Sequence, residues 1–289
     1  MEELEETKIK TPILDNPWKL FFWEALLFSL TLGLGIATAF RARDILEKEK
    51  VFLPPISFSH FLLYFLLTNI FVLGLLFFGR KQRKGFVLKL IFLLSIAFST
   101  LLLINTWIPN IFSFVLTALL IYLWLKRPSV LVHDVVLVFS MAGAGSILGL
   151  RMDPKIVIAL LMVFSIYDFI AVYKTKHMIK MAKEMMKKGA IMALIIPSKI
   201  SDFKGKLEKV KPGGKFLILG GGDIVFPLLF CSSLISEGIL SSLIVAVFST
   251  LGLLASFLIF ILQKEKKPIP ALPPIALFSI IGYLITKFL

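Results

Sequence analysis

Phe216-Leu217-Ile218-Leu219-Gly220-Gly221-Gly222-Asp223-Ile224-Val225-Phe226-Pro227 is the stretch on which the reading of this chain turns. An acidic residue stands inside an apolar run, directly after three glycines and four residues before a proline. A carboxylate in lipid costs several kcal/mol by most estimates, so an intramembrane aspartate points to function. A second one stands in Ser165-Ile166-Tyr167-Asp168-Phe169, within another apolar run. Brought to one depth, the two make a candidate acid–base pair.

The chain of 289 residues is 58% hydrophobic, with a mean hydropathy of +0.92. Soluble domains average about 45–50% apolar residues, so the composition is that of a polytopic membrane protein. One cysteine, Cys231, excludes an intrachain disulfide framework, and His60, His133 and His177 offer no metal-ligand spacing. No metal and no cofactor is expected. The net charge of +14 reads as loops facing anionic lipid rather than as a nucleic-acid surface. The N-terminus is acidic (Glu2, Glu3, Glu5, Glu6), and Arg41 and Arg43 follow the first apolar run at once. That favours an uncleaved first helix over a signal peptide cut near Ala37-Thr38-Ala39.

A helical span needs about 20 mostly apolar residues. Nine segments qualify: Leu20–Phe40, Ile56–Phe78, Leu88–Ile104, Ile111–Leu125, Val130–Leu150, Lys155–Tyr173, Phe216–Ser236, Ile239–Leu262 and Pro270–Phe288. The fold class expected is therefore an all-α polytopic membrane protein with nine transmembrane helices. Trp18, Trp23, Trp107 and Trp124 fall near span ends, as interfacial anchors do. With the N-terminus cytoplasmic and the C-terminus outside, 25 of the 32 Lys and Arg lie on the inner side and 7 on the outer. The positive-inside rule favours that orientation.

The organisation expected is a six-helix half over 1–173, a basic cytoplasmic loop over 174–215 and a three-helix half over 216–289. In the loop, Met178, Met181, Ala182 and Met185 recur at helical spacing among lysines, which suits a basic amphipathic helix or a solvated linker. Ile191–Pro197 is too short to span and has the length of a strand or re-entrant segment. Pro212-Gly213-Gly214 reads as a turn. No internal repeat is visible.

Span 6 ends and span 7 begins on the inner side. Asp168 lies six residues before Lys174, about 9 Å in, and Asp223 eight residues after Lys215, about 12 Å in if helical throughout. The depths agree, and consecutive helices commonly pack together. Gly220, Gly221 and Gly222 remove side chains beside Asp223 and allow close approach of a backbone. Pro227 cannot donate to the Asp223 carbonyl. Pro268-Ile269-Pro270-Ala271-Leu272-Pro273-Pro274 must be extended until about Pro274 and enters from the same side.

Tyr167-Asp168, Gly220-Gly221-Gly222-Asp223 and Pro270-Ala271-Leu272, in this order across nine spans, resemble the presenilin and signal peptide peptidase family of intramembrane aspartyl proteases. The resemblance covers the topology of the whole chain but only short stretches from span 6 to span 9. Asp223-Ile224-Val225-Phe226-Pro227 looks more like the signal peptide peptidase branch, and Ser165–Val172 with Ala271-Leu272-Pro273 more like presenilin. It implies an endopeptidase with Asp168 and Asp223 catalytic. Pro270, Ala271 and Leu272 would place a transmembrane peptide substrate. Gly220, Gly221, Gly222 and Tyr167 are further candidate substrate contacts. It also implies a minimal, prokaryotic-type chain in the cell membrane, able to act without partner subunits, with a homo-oligomer left open. The long acidic insertion of eukaryotic presenilins between spans 6 and 7 is missing.

Other intramembrane polar residues rank lower. His133 and Asp134 lie shallowly in span 5 and are expected to reach the interface; Glu24 stands near the start of span 1, and Lys89 can snorkel. Gly143, Gly145 and Gly149 read as helix-packing positions. Two rival readings are a prepilin or preflagellin peptidase and a proton-coupled secondary transporter with broken helices.

Overall fold

The computed structural model describes residues 16–52, 54–78, 84–175, 191–207, 210, 216–264 and 267–288. The acidic cluster Glu2–Glu6, the amphipathic pattern over Met178–Met185 and the turn at Pro212–Gly214 lie outside the described residues.

The first helix, α1 (Pro17–Lys48), starts where the sequence marks a start. Asn16 caps it by accepting the Lys19 N–H at 3.3 Å, and Pro17 occupies the first helical position, where a missing N–H costs nothing. Its 32 residues rise about 48 Å, longer than a hydrocarbon core of about 30 Å. Then come α2 (Phe58–Phe78), α3 (Lys84–Trp107), α4 (Ile111–Lys126) and α5 (Val130–Leu150, capped by Ser129). Helix α6 (Pro154–Phe169, capped by Asp153) continues as one π-helical turn over Ile170–Lys174. Strand β1 (Ala193–Pro197) and a 3₁₀ turn (Ile200–Lys204) precede strand β2 (Phe216–Gly220). Helix α7 (Gly221–Ser233), α8 (Ile239–Leu262) and α9 (Leu272–Thr286) complete the described chain. Among the described residues, five segments are long and apolar enough to cross a membrane by length and composition: Pro17–Lys48, Lys89–Trp107, Val130–Leu150, Pro154–Lys174 and Ile239–Leu262.

Four glycines let the central helices close up. The Leu228 side chain of α7 fills the space that a Cβ on Gly35 of α1 or on Gly145 of α5 would occupy. Gly149 brings α5 against α7, where its Cβ would stand 2.7 Å from the Leu229 carbonyl oxygen, and Gly143 brings α5 against the Ser99 carbonyl of α3. Close backbone approach at small residues is how helices associate where lipid removes the hydrophobic drive. Helices α8 and α9 meet the same way at Gly252, whose Cβ would lie 2.6 Å from the Ile275 Cα. Large apolar side chains on the outer faces, among them Leu63, Tyr64, Phe112 and Val247, are exposed, as a lipid-facing surface requires.

Four expectations need correction. The segment Phe216–Ser236 is not one helix: its first five residues form β2, antiparallel to β1 in the register Ala193↔Gly220 to Pro197↔Phe216, and its last three form a 3₁₀ turn. A short apolar run reads alike as strand or buried helix until a partner strand claims it. Helix α9 starts at Leu272 rather than near Pro274, because prolines at the second and third helical positions fit the first turn. Trp124 is no interfacial anchor; it is buried, edge-on to Phe92 and beside His133. His133 and Asp134 do not reach an interface. Both are buried, and they close the outer edge of β1: Asp134 Oδ1 accepts the Ile195 N–H at 2.9 Å, and His133 Nε2–H donates to the Ala193 carbonyl at 3.2 Å. Alternate residues of a strand turn their backbone polar groups to one edge, so the two side chains stand in for a third strand. The strand-length segment Ile191–Pro197 does contain a strand, and Gly143, Gly145 and Gly149 are packing positions.

Candidate functional site

One end of the bundle gathers the starts of α1, α5, α7 and α9, the end of α6, and the two-stranded sheet. Trp23 of α1 packs edge-on against Phe203 at 5.4 Å. The Val130 N–H donates to the Gly205 carbonyl at 3.0 Å, and the Gly221 N–H to the Met192 carbonyl at 2.9 Å. These contacts tie the sheet to the helices that carry the acidic residues.

Asp223 owes its place to a strand-to-helix switch. Gly220 is the N-cap of α7, so Asp223 falls at the third helical position, and its carboxylate turns back to the Gly220 N–H. This is the reciprocal half of a capping box, with the acid at the positive end of the helix dipole. The close fit explains two of the three glycines. A Cβ on Gly220 would stand 2.9 Å from Asp223 Oδ2, and one on Gly221 would stand 3.0 Å from the Met192 carbonyl oxygen. Gly222 is different: it is exposed, and a Cβ there would meet only the Phe226 ring at 3.8 Å.

Asp168 sits in the last turn of α6 and is 5% exposed. Its Oδ2 is buried without a hydrogen-bond partner among the described residues, while the Leu272 N–H at the start of α9 is directed at its carboxylate. Asp168 and Asp223 are close enough to act on each other electrostatically. Phe164 of α6 and Phe226 of α7 stack at 4.4 Å beside the acids and hold the two helices together. Pro270 and Leu272 are buried, and the chain over residues 267–271 is non-helical.

Of the sequence-derived site residues, Asp168, Asp223, Gly220 and Leu272 come together. Tyr167 is 53% exposed, on a face of α6 turned outward, and no hydrogen bond is seen for it among the described residues. A third acid stands near the two aspartates. Glu24 of α1 is 6% exposed, its Oε2 has no hydrogen-bond partner among the described residues, and its carboxylate lies within electrostatic reach of Asp223. Its depth is readable in the sequence: Glu24 stands eight residues past Asn16, about 12 Å in, by the same rise per residue as for Asp223.

The family described as signal-peptide peptidase, presenilin aspartyl protease matches residues 26–289. The chain belongs to this family. Two solved structures of a presenilin family intramembrane aspartate protease resemble it across nearly its whole length. The C222 crystal form is 20% identical with a TM-score of 0.61, covering 93% of this chain and 97% of the other. The P2 form is 21% identical with a TM-score of 0.59, covering 90% and 96%. At such identity the likeness speaks to the fold. A comparison with curated proteins returned no match. As a member of the presenilin and signal-peptide peptidase family the protein is a hydrolase of the intramembrane aspartyl protease class, which sets aside the transporter and prepilin peptidase readings.

Proposed function

We propose that the protein is an intramembrane endopeptidase that cleaves transmembrane helices or signal-peptide remnants with Asp168 and Asp223 as its catalytic pair. The observation that supports this is that the two carboxylates lie within electrostatic reach of each other. One is held by the first turn of α7 and the other faces the start of α9, on helices locked by the Phe164–Phe226 stack. Two carboxylates held together do not both ionise comfortably, so they share a proton and titrate as a pair. The ionised member takes a proton from water, which attacks the scissile carbonyl carbon. The protonated member gives its proton to the carbonyl oxygen, and a proton then passes to the amide nitrogen as the C–N bond breaks.

A substrate helix shields its peptide bonds and must unwind first. The non-helical chain over residues 267–271 and the side-chain-free surface at Gly222 offer room and backbone for an extended peptide beside the acids. Pro270, Ala271 and Leu272 place the substrate in this reading; Gly220 and Gly221 keep the site's backbone close. Tyr167, on the exposed face of α6, would meet the substrate before it enters. All nine described α-helices cross the membrane, the site lies toward the cytoplasm with the N-terminus inside, and water enters from that side. The excess of Lys and Arg on the inner segments supports this orientation. The protein acts in a prokaryotic cell membrane without obligatory partner subunits.

The test is cleavage of a labelled transmembrane peptide by detergent-solubilised protein, with products identified by intact mass. Asp168→Asn and Asp223→Asn are each expected to insert normally and to lose cleavage. Full activity in either variant ends the paired-carboxylate reading.

A further inference from the structure

Helix α9 begins with an arrangement of backbone groups that the catalytic pair does not account for. Its N-cap is Ala271, which has no capping side chain. Pro273 and Pro274 fill the second and third helical positions and carry no N–H. Leu272 therefore bears the single N–H among the first three positions, and that N–H is directed at Asp168.

What aims it lies on another helix. The peptide group is planar and trans, so the Ala271 carbonyl and the Leu272 N–H leave one rigid plate in opposite directions. Ser256 of α8 is buried and donates its hydroxyl to the Ala271 carbonyl oxygen at 3.1 Å, sharing it with the Gly252 carbonyl, also at 3.1 Å. Gly252 makes this reach possible. It lies one turn before Ser256 on the same face of α8, and it lets the α9 backbone come so near that a Cβ would stand 2.8 Å from the Pro274 carbonyl oxygen. The Ser256 hydroxyl, with the longer first helical bond from the Ile275 N–H at 3.5 Å, thus holds one edge of a peptide plate whose other edge faces the acid.

The neighbouring serines of this seam are arranged differently. Ser249 and Ser279 meet side chain to side chain at 2.7 Å, and each also donates back to its own helix, to Val245 and Ile275. They join two regular helices and touch no backbone outside the helical ladders. Ser256 holds the one carbonyl of α9 that belongs to its N-cap.

We infer that Ser256 is a positioning residue for the cleavage reaction: by fixing the Ala271–Leu272 peptide plane it keeps the Leu272 N–H aimed at the Asp168 carboxylate. The inference rests on the reading of Asp168 as catalytic. The other titratable groups around Asp168 are Asp223 from α7, with Glu24 of α1 acting on it in turn, and Tyr167 and Tyr173 on its own helical segment. The first turn of α9 contributes none.

The experiment measures kcat and KM for a labelled transmembrane peptide across pH, for the full chain and the variants Ser256→Ala, Ser256→Cys, Ser256→Thr and Ser249→Ala. Ser256→Ala is expected to lower kcat about tenfold at unchanged KM and to displace the pH profile by about half a unit, because the donor to one protonation state of Asp168 is misaligned. Ser256→Thr keeps the hydroxyl and restores both. Ser249→Ala removes a hydroxyl from the same seam and leaves kcat and profile within about twofold of the parent. Should Ser256→Ala not fold, Ser256→Cys keeps the volume with a weak donor and must move the profile the same way. A parental profile in Ser256→Ala or Ser256→Cys overturns the inference, as does an equal displacement in Ser249→Ala. The catalytic reading fails separately: Asp168→Asn would then still cleave.

Discussion

Asp134→Ala tests whether the sheet is part of the machinery. Asp134 is 2% exposed, and its Oδ1 takes the Ile195 N–H at 2.9 Å. Alanine removes the acceptor and leaves a buried strand N–H without a partner. Such an orphan costs about 1–3 kcal/mol. The companion bond from His133 to the Ala193 carbonyl survives, so β1 keeps one of two attachments to α5. Taking about 2 kcal/mol, the docking equilibrium of the strand falls about thirtyfold. The loosened strand is the one whose Ala193 pairs with Gly220 and whose neighbour Met192 receives the Gly221 N–H, so the disturbance arrives directly at Asp223. Asp134→Ala is expected to lower the unfolding temperature in detergent and to cut peptide cleavage about tenfold or more. Asp134→Asn keeps an oxygen acceptor and should stay near the parent in both. Equal behaviour of the two variants would refute the edge closure. A destabilised Ala variant with parental cleavage per folded molecule would refute the coupling of the sheet to the site.

Two further expectations use the same assays. Gly220→Ala puts a methyl 2.9 Å from Asp223 Oδ2, so the carboxylate must move, and cleavage should fall at least about tenfold in a folded protein; Gly222→Ala meets only ordinary ring contact and should fold as the parent does, so any loss of cleavage there raises KM and reports substrate clearance. Glu24→Gln keeps the shape of a buried side chain within reach of Asp223 and removes its charge; the pH profile of cleavage should shift by about half a unit or more, and a superimposable profile would make Glu24 a bystander.

Much of the fold could be read from the chain because lipid removes alternatives. A backbone in hydrocarbon must satisfy its own hydrogen bonds, so apolar runs bounded by Asn16-Pro17, Ser129 and Asp153-Pro154 become helices with those caps. The intramembrane aspartates, the Gly220–Gly222 run and the prolines from Pro268 to Pro274 are equally local signals, since each carries its cost or its conformational restriction with it. The sequence alone could therefore establish helices, candidate acids and a break before the last helix.

The remainder depended on which segments meet. Phe216–Gly220 is a strand because Ala193–Pro197 lies beside it; alone, the same short apolar run reads equally as strand or helix. His133, Asp134, Trp124 and Glu24 look like interfacial residues when counted from the nearest charge. Yet each is buried by helices or strands distant in the sequence, and there a polar group must find a partner or stay unpaired. Burial and partnership belong to pairs of elements, so only the tertiary structure could decide that a His–Asp pair closes a sheet edge and that a serine on α8 faces the start of α9.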